Sequence, residues 1–258
     1  MFRIAWVTVL AAAITAAAWA DNGSVSSVNG SIHVTAQHGD VHTINGSVNV
    51  DGSSQSTGDL STVNGSISID SGSHAGNVTT VNGGVHIGSD ATVGRVQAVN
   101  GSLSFDSRTT ATSVGTVNGS IDLRQGVHVT GPVDTVNGAL NIADGVDISG
   151  QLSNVNGRIR LEGVHIGGLV KTVSGDIYAG PHTHIDGGIF VGRRYDGWFS
   201  WLSNVTRTLP KIVIGPDAVV TGTLRFEQEV KLYVSNRAKI GPVEGATAIV
   251  FSGDSPPY

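Results

Sequence analysis

A single six-residue phrase, close to Thr-Val-Asn-Gly-Ser-Ile, recurs at nearly constant spacing through the first two thirds of this 258-residue chain. Successive copies lie 16 to 19 residues apart, and Ser174-Gly175 takes the ninth place. Self-similarity at a fixed period indicates a stack of like units, and a period near 18 is too short for a pair of helices. The Asn residues of the eight Asn-Gly pairs that belong to the repeated phrase are Asn29, Asn45, Asn64, Asn82, Asn100, Asn118, Asn137 and Asn156.

Apolar residues alternate with polar residues between the Asn-Gly pairs. Alternation over such short runs predicts about three short strands per repeat, each with one buried face. The residues expected to be buried are Val117, Ile121, Leu123, Val127, Val129 and Val133 in the sixth repeat, and Val136, Leu140, Ile142, Val146, Ile148 and Leu152 in the seventh. The Val before each Asn-Gly pair is thus predicted to fill the interior. The Thr before that Val, such as Thr116, is predicted to face outward.

These patterns predict an all-β fold, a single-stranded parallel β-helix with about 18 residues per coil. In such a β-solenoid each strand pairs with its copy one coil later, about 4.8 Å away. Asn tolerates the left-handed backbone region and Gly adopts it freely, so Asn-Gly is predicted to form the corner between two walls. The stacked Asn amides are expected to hydrogen-bond along their column. Parallel connections favour a right-handed coil.

An antiparallel meander or an outer-membrane barrel is the alternative fold, because Asn-Gly between alternating apolar residues is also a strong hairpin signal. Strands of about three residues are too short to cross a bilayer, which takes roughly 9 to 11. Phe105 is the single aromatic residue between residues 21 and 177, so the aromatic girdles of a barrel are missing from the sequence. The β-solenoid is therefore favoured.

The units "STVNGSISID", "TTVNGGVHIG" and "GTVNGSIDLR" resemble the adhesin-type family of secreted bacterial β-solenoids, whose members share a Val-Asn-Gly-Ser-Ile type of repeat. This resemblance covers about residues 25 to 190. The stretch "IVIGPDAVVTGTLRFEQEVKLYVSNRAKIG" is similar to the Ile-Gly-rich coils of bactofilins, which are polymer-forming right-handed β-helix proteins, over about residues 211 to 245. The first resemblance implies binding at a cell surface or envelope, and the second implies self-assembly. Neither implies functional residues.

The first twenty residues combine Arg3, an apolar run and Ala18-Trp19-Ala20, which is the pattern of a secretory signal peptide. The predicted segments are a signal peptide at 1–20, solenoid repeats at 21–192, an aromatic-rich insertion at 193–211, and further coils with a cap at 212–258. A secreted, periplasmic or cell-surface location is expected, with no transmembrane segment. A net charge of −5 offers little attraction to nucleic acid. Without Cys the chain has no disulfide and no thiolate metal ligand.

The insertion carries two Trp residues close to two Arg residues. Interleaved aromatic and Arg side chains are typical of contact surfaces. The predicted partner-contacting residues are Arg193, Arg194, Tyr195, Trp198, Phe199 and Trp201. The alternative is that this segment folds over the solenoid wall and buries its own aromatic side chains.

One outward column combines His and Asp at equivalent positions of four successive repeats. The column contains His128, Asp147, His165 and His184, and His182 lies two residues before His184. Imidazole and carboxylate groups at this spacing predict a candidate site for a divalent transition metal such as Zn²⁺, Cu²⁺ or Ni²⁺. The alternative is an ordinary solvated surface, and no other cofactor is expected.

The sequence favours a non-enzymatic adhesion or binding module that contacts a cell-surface glycan, an envelope component or a protein partner. The alternative is a structural scaffold of the cell envelope that assembles end to end, because an uncovered final coil is an exposed sheet edge. Two lesser possibilities remain. The regular Thr column resembles an ice-binding array, and a polysaccharide-active β-helix enzyme would need paired carboxylates, for which Asp144 with Asp147 or Glu227 with Glu229 are the candidates.

Overall fold

The computed structural model describes residues 23–35, 39–52, 58–193 and 209–254. Within them all helical or strand structure is β-strand, and the chain winds as a β-solenoid of about 11 turns, roughly 18 residues apart. Equivalent strands of successive coils pair in parallel and in register, as Ile67 does with Val85 and Leu103 with Ile121. The predicted all-β parallel β-helix is confirmed and the antiparallel alternative is wrong. The right-handed sense stays a prediction.

One wall of each coil belongs to a continuous twelve-stranded sheet, here called wall A. Its strands are β2 (Ile32–Val34), β4 (Val48–Val50), β6 (Ile67–Ile69), β9 (Val85–Ile87), β11 (Leu103–Phe105), β13 (Ile121–Leu123), β16 (Leu140–Ile142), β19 (Ile159–Leu161), β22 (Ile177–Ala179), β25 (Lys211–Ile214), β28 (Lys231–Ser235) and β31 (Ala248–Phe251). Most have three residues, of which the outer two point inward and the middle one outward, as the alternation predicts.

The remaining strands join in a nineteen-stranded sheet that forms two further walls. Wall B holds the two-residue strands β7 (His74–Ala75), β14 (His128–Val129), β17 (Asp147–Ile148), β20 (His165–Ile166), β23 (His184–Ile185), β26 (Val219–Val220) and β29 (Lys239–Ile240). Wall C holds β1 (Val25–Asn29), β3 (Val41–Asn45), β5 (Leu60–Asn64), β8 (Val78–Asn82), β15 (Val133–Asn137), β18 (Leu152–Asn156), β21 (Val170–Thr172), β24 (Ile189–Val191), β27 (Leu224–Phe226) and β30 (Val243–Glu244). In two coils the long strands β10 (Thr92–Asn100) and β12 (Thr110–Asn118) run through both walls.

A single apolar core runs along the inside of the coils. It consists mainly of Val, Ile and Leu, and Phe105 is its largest fully buried side chain. Branched aliphatic side chains suit such a core because they pack well on a pleated surface with few rotamers to lose. Because equivalent residues stack in register, the outward side chains also form straight columns along the rod.

The Asn-Gly corners differ from expectation in their backbone. Of the eight corner glycines, Gly30 and Gly157 have φ in the left-handed region, at 129° and 133°, and the other six do not. The prediction that the corner uses left-handed backbone is therefore wrong at those six. Glycine is required there by close approach instead. A Cβ atom on Gly101 would lie 1.9 Å from the carbonyl oxygen of Gly83, one coil earlier.

Within the described residues the regular period is interrupted at the corner between β24 and β25. Strand β25 pairs with β22, so that Ile212 stacks on Ile177, and the Lys211 amide donates to Asp176 across 35 residues instead of about 18. Most of the predicted insertion, residues 194–208, lies outside the described residues, as do residues 1–20 and 255–258. Within the described ranges no helix is long and apolar enough to cross a membrane.

Candidate functional site

A line of aliphatic side chains runs along the outside of wall C. It is formed by the residue immediately before each corner Asn, and its most exposed members have 37% to 58% of their surface accessible. This line is here called the aliphatic column. It consists of Val28, Ile44, Val63, Val81, Val99, Val117, Val136 and Val155. Val63 and Val81 are half-buried and the other six are exposed. The prediction that Val117 and Val136 fill the interior is therefore wrong.

The alternation along wall C explains why these side chains point outward. In β5 the buried residues are Leu60 and Thr62, so Ser61 and Val63 lie on the other face. Because a strand alternates with a period of two, Val63 cannot share a face with Leu60, three residues earlier. This odd spacing is present in the sequence and was the signal that an apolar residue here does not belong to the core.

Five of the eight column residues are preceded by a Thr, and each of these Thr side chains points into the rod. The hydroxyl of Thr116 donates to the carbonyl oxygen of Gly101 at 2.9 Å, and that of Thr62 donates to Gly46 at 2.9 Å. A buried hydroxyl needs such a partner, and the stacked corner supplies it. The residues concerned are Thr43, Thr62, Thr80, Thr116 and Thr135, each at most 5% exposed. The predicted outward Thr array is therefore wrong, and an ice-binding surface made of these residues is excluded.

The corner Asn side chains form a hydrogen-bonded ladder beside the aliphatic column. At each step the Nδ2 of one Asn donates to the Oδ1 of the Asn one coil earlier, at 2.9 to 3.0 Å. The ladder runs from Asn29 to Asn156, so the hydrogen bonds expected between stacked Asn amides are present. A primary amide has two N–H groups and an oxygen with two lone pairs, so each Asn within the ladder keeps hydrogen-bonding capacity for solvent or a partner. The aliphatic column therefore has a polar border of fixed geometry.

On wall B, His and Asp side chains alternate in a continuous series of ion pairs, here called the His–Asp chain. Asp147 lies between two imidazoles, with Oδ2 at 2.8 Å from Nδ1 of His128 and Oδ1 at 2.5 Å from Nδ1 of His165. Asp186 lies between the next two, with Oδ2 at 3.1 Å from Nε2 of His165 and Oδ1 at 2.8 Å from Nε2 of His184. Asp186, two residues after His184, is therefore part of this arrangement.

Hydrogen bonds within the His–Asp chain shift the pKa values of His165 and Asp186. The hydrogen bond to Asp147, followed by that to Asp186, raises the pKa of His165 above its usual value. The hydrogen bond from His165 lowers the pKa of Asp186. With a carboxylate at each ring nitrogen, His165 is arranged to donate from both, which is the imidazolium form.

The predicted metal-binding residues are only partly brought together. His128, Asp147, His165 and His184 belong to the His–Asp chain, whereas His182 lies at an exposed turn position with φ of 56°. Among the described residues no group of three His, Asp or Glu side chains is arranged to hold a metal ion. Both ring nitrogens of His165, and one ring nitrogen each of His128 and His184, face carboxylates instead. Metal binding stays a prediction that would require these side chains to rearrange.

The predicted contact loop falls largely outside the described residues. Arg194, Tyr195, Trp198, Phe199 and Trp201 lie outside them, and Arg193 is exposed at their edge. Of the candidate catalytic carboxylates, Asp147 is engaged by two His residues, and Glu227 accepts a hydrogen bond from Arg225 at 3.3 Å.

The aliphatic column is thus a candidate functional feature that the sequence prediction placed on the wrong face. It combines exposed apolar side chains, a rigid backing of parallel strands and the Asn ladder as a border. The chain matches no family model, no curated protein and no solved structure. Its likeness to adhesin-type solenoids and to bactofilins therefore remains a resemblance of the repeat units.

Proposed function

We propose that this protein is a non-enzymatic binding module, secreted to the bacterial cell envelope or surface, that attaches to its partner through the aliphatic column. The observation that carries the proposal is the exposure of aliphatic side chains from Val28 to Val155 on one face of the rod. Contiguous apolar surface at the outside of a protein marks interaction sites. Eight positions at about 4.8 Å per coil make the column roughly 34 Å long.

The shape of the column favours a long, repeating partner. The column is one side chain wide and is bordered by the Asn ladder, so it fits a chain-like molecule that lies along the rod. An extended polypeptide presents side chains on one face about every 6.6 Å, which does not match a coil spacing of about 4.8 Å. A linear polysaccharide repeats one ring after another at a distance close to one coil. A glycan of the cell surface or envelope is therefore the partner that we propose.

The proposal is tested by replacing column residues with a residue of the same shape. The triple variant Val99→Thr, Val117→Thr, Val136→Thr exchanges three exposed methyl groups for hydroxyls and keeps the β-branched shape of each side chain. If each methyl is buried on binding at about 0.8 kcal/mol, the variant loses more than tenfold in affinity. The measurement is retention of the purified chain on isolated cell envelopes and on a glycan array.

A control uses Ile249→Thr, which changes an exposed aliphatic residue on the outward face of wall A, away from the column. This control is expected to bind like the wild-type protein. Equal retention of the column variant and the wild-type protein would contradict the proposal, and so would a wild-type protein that is not retained at all.

A self-assembling scaffold is the second candidate, and one observation favours it. Val250 pairs with the inward-facing Val234, yet 66% of its surface is exposed, because it lies on the last described coil. Core side chains exposed at the end of a stack invite another sheet to continue it. Sedimentation over a concentration series separates the two functions, since end-to-end assembly grows with concentration and a binding module stays at one size.

A further inference from the structure

Wall C carries a notch where a glycine interrupts an outward column. Gly115 lies between Gln97 and Asp134 in the register of the wall, and it lines an open cavity of about 470 Å³. This volume lies within the range of sites for small molecules. The side chains that line it include those of Arg95, Gln97, Thr112, Thr130, Pro132 and Asp134.

The lining offers both hydrogen-bond donors and acceptors. Arg95 is exposed, and within the described part of the chain its guanidinium makes no ion pair, whereas Arg108 and Arg124 are each paired with an Asp. Asp134 accepts a hydrogen bond at Oδ1 from Ser153 at 2.5 Å, and its Oδ2 has capacity for another donor. Planar polar groups with both capacities are suited to sugar hydroxyls, each of which donates and accepts.

The notch opens beside the aliphatic column. Val117 lies two residues after Gly115 on the same strand and the same face, because side chains two apart in a strand project to the same side. A ligand that lies along the column therefore passes within reach of the notch. The column supplies apolar contact, and the notch supplies polar contact at one place along the rod.

We propose that the notch over Gly115 is a subsite for one sugar ring of a neutral polysaccharide. The ligand is neutral because residues 21–156 hold eleven Asp against three Arg, so the surrounding field repels a polyanion. Arg95 and Gln97 donate to the ring hydroxyls, and Asp134 and the Thr hydroxyls accept from them. This subsite rests on the proposed function and adds the chemical class of the ligand and the place where it is recognised.

The subsite is tested by filling the notch. Gly115→Gln adds the side chain that already stands at position 97 of the same column. Folding is expected to survive, because a Cβ atom on Gly115 meets its nearest neighbour, the Asp134 carbonyl oxygen, at 3.7 Å. The control Ser68→Gln adds the same side chain to the outward face of wall A. Calorimetric titrations use cellohexaose, chitohexaose, mannohexaose and xylohexaose, with polygalacturonate as the acidic comparison.

We expect at least one neutral hexasaccharide to bind the wild-type protein and the Ser68→Gln control equally, and to bind Gly115→Gln at least tenfold more weakly. Binding of no neutral sugar, equal binding to Gly115→Gln, or tighter binding of polygalacturonate than of every neutral sugar would overturn the subsite. If circular dichroism shows that Gly115→Gln is misfolded, the variant Gln97→Ala is used to test the subsite instead. It removes a lining amide without adding bulk, and we expect at least threefold weaker binding; unchanged affinity would overturn the subsite.

The two proposals fail in different ways. A protein that is retained on envelopes through the aliphatic column, but is indifferent to Gly115→Gln, overturns the subsite and leaves the binding module intact. A column variant that is retained as well as the wild-type protein contradicts the binding module itself.

Discussion

At the scale of single residues, the corner glycines show how stacking decides which amino acid a position accepts. The corner glycine of one coil sits directly over that of the coil before it, so that the space a side chain would need is filled by backbone. At Gly101 a Cβ atom would lie 1.9 Å from the Gly83 oxygen and 2.5 Å from its carbonyl carbon. Neither atom belongs to a flexible side chain, so the contact can be relieved only by moving the wall.

We therefore expect Gly101→Ala to destabilise the protein by about 3 kcal/mol, the upper part of the usual range for an overpacked site. The measurement is the free energy of unfolding in urea. Gly115→Ala is the matched control, since its Cβ atom meets nothing closer than 3.7 Å. A glycine inside a strand weakens it, so this control is expected to be neutral or slightly stabilising. Equal losses in the two variants would show that crowding at the corner is not the cause.

The buried Thr residues make the same point about polarity. Sequence alternation alone places Thr116 on the same face as the buried Val114, two residues earlier, yet a hydroxyl in an apolar core is unfavourable without a partner. The carbonyl oxygen of Gly101 is that partner. The Thr was predicted to face outward because this partner becomes visible only when the coils are stacked.

At the scale of the strand, the period and the alternation were sufficient to predict the coils, the parallel pairing and the Asn ladder. The faces of wall C are given by the same alternation, since Val117 lies three residues after the buried Val114 and is exposed, but its apolar character led to the wrong prediction that it is buried. The sequence predicts that His128, Asp147 and His165 lie in one column. It does not predict that Asp147 pairs with both imidazoles. Side-chain rotamers decide that difference, and the sequence does not specify them.

The His–Asp chain makes the stability of wall B depend on pH. The pKa of His165 is raised in the folded protein, so its contribution is present below about pH 6.5, its usual unfolded value, and is lost as pH rises through the folded pKa. The pKa of Asp186 is lowered, so its contribution is present above about pH 3.9 and is lost as pH falls through the folded pKa. The groups that face His165 are Asp147, Asp186 and the ring of His184. Stabilisation by the chain is therefore greatest between these two limits.

Asp147→Asn removes the largest cause of the raised His165 pKa, and we expect that pKa to fall in a titration followed by nuclear magnetic resonance. The thermal midpoint of the variant should lie further below that of the wild-type protein at pH 5.5 than at pH 9. Asp70→Asn is the control, because it changes the same charge at an exposed position next to wall A. A His165 pKa that is unchanged in Asp147→Asn would contradict the ion-pair account.

At the scale of the whole molecule, the rod is a series of nearly equivalent coils, each of which contacts its two neighbours. Its surface features therefore run parallel to the long axis of the rod. The aliphatic column lies on wall C, and the His–Asp chain lies on wall B. A segment that interrupts the period is the hardest part of the chain to predict from the sequence. The repeat predicts where a regular coil lies, as it does for Ile177, but carries no information on how the residues between Val191 and Lys211 are arranged.

Because stability in such a stack is a sum over neighbouring coils, removal of one complete coil should be tolerated. Deletion of residues 65–82 joins Asn64 to Gly83, which keeps an Asn before the corner glycine and brings Val85 onto Val48 in place of Ile67. We expect the β-type circular dichroism spectrum to persist and urea unfolding to remain cooperative. The slope of the unfolding free energy against urea should be slightly smaller, because less surface is buried.

Deletion of residues 65–73 is the matched control: it removes half a coil, so Asn no longer stacks on Asn and inward side chains lose their register. If both deletions unfold the protein alike, the coils are not interchangeable units, and the columns owe their order to something other than the repeat.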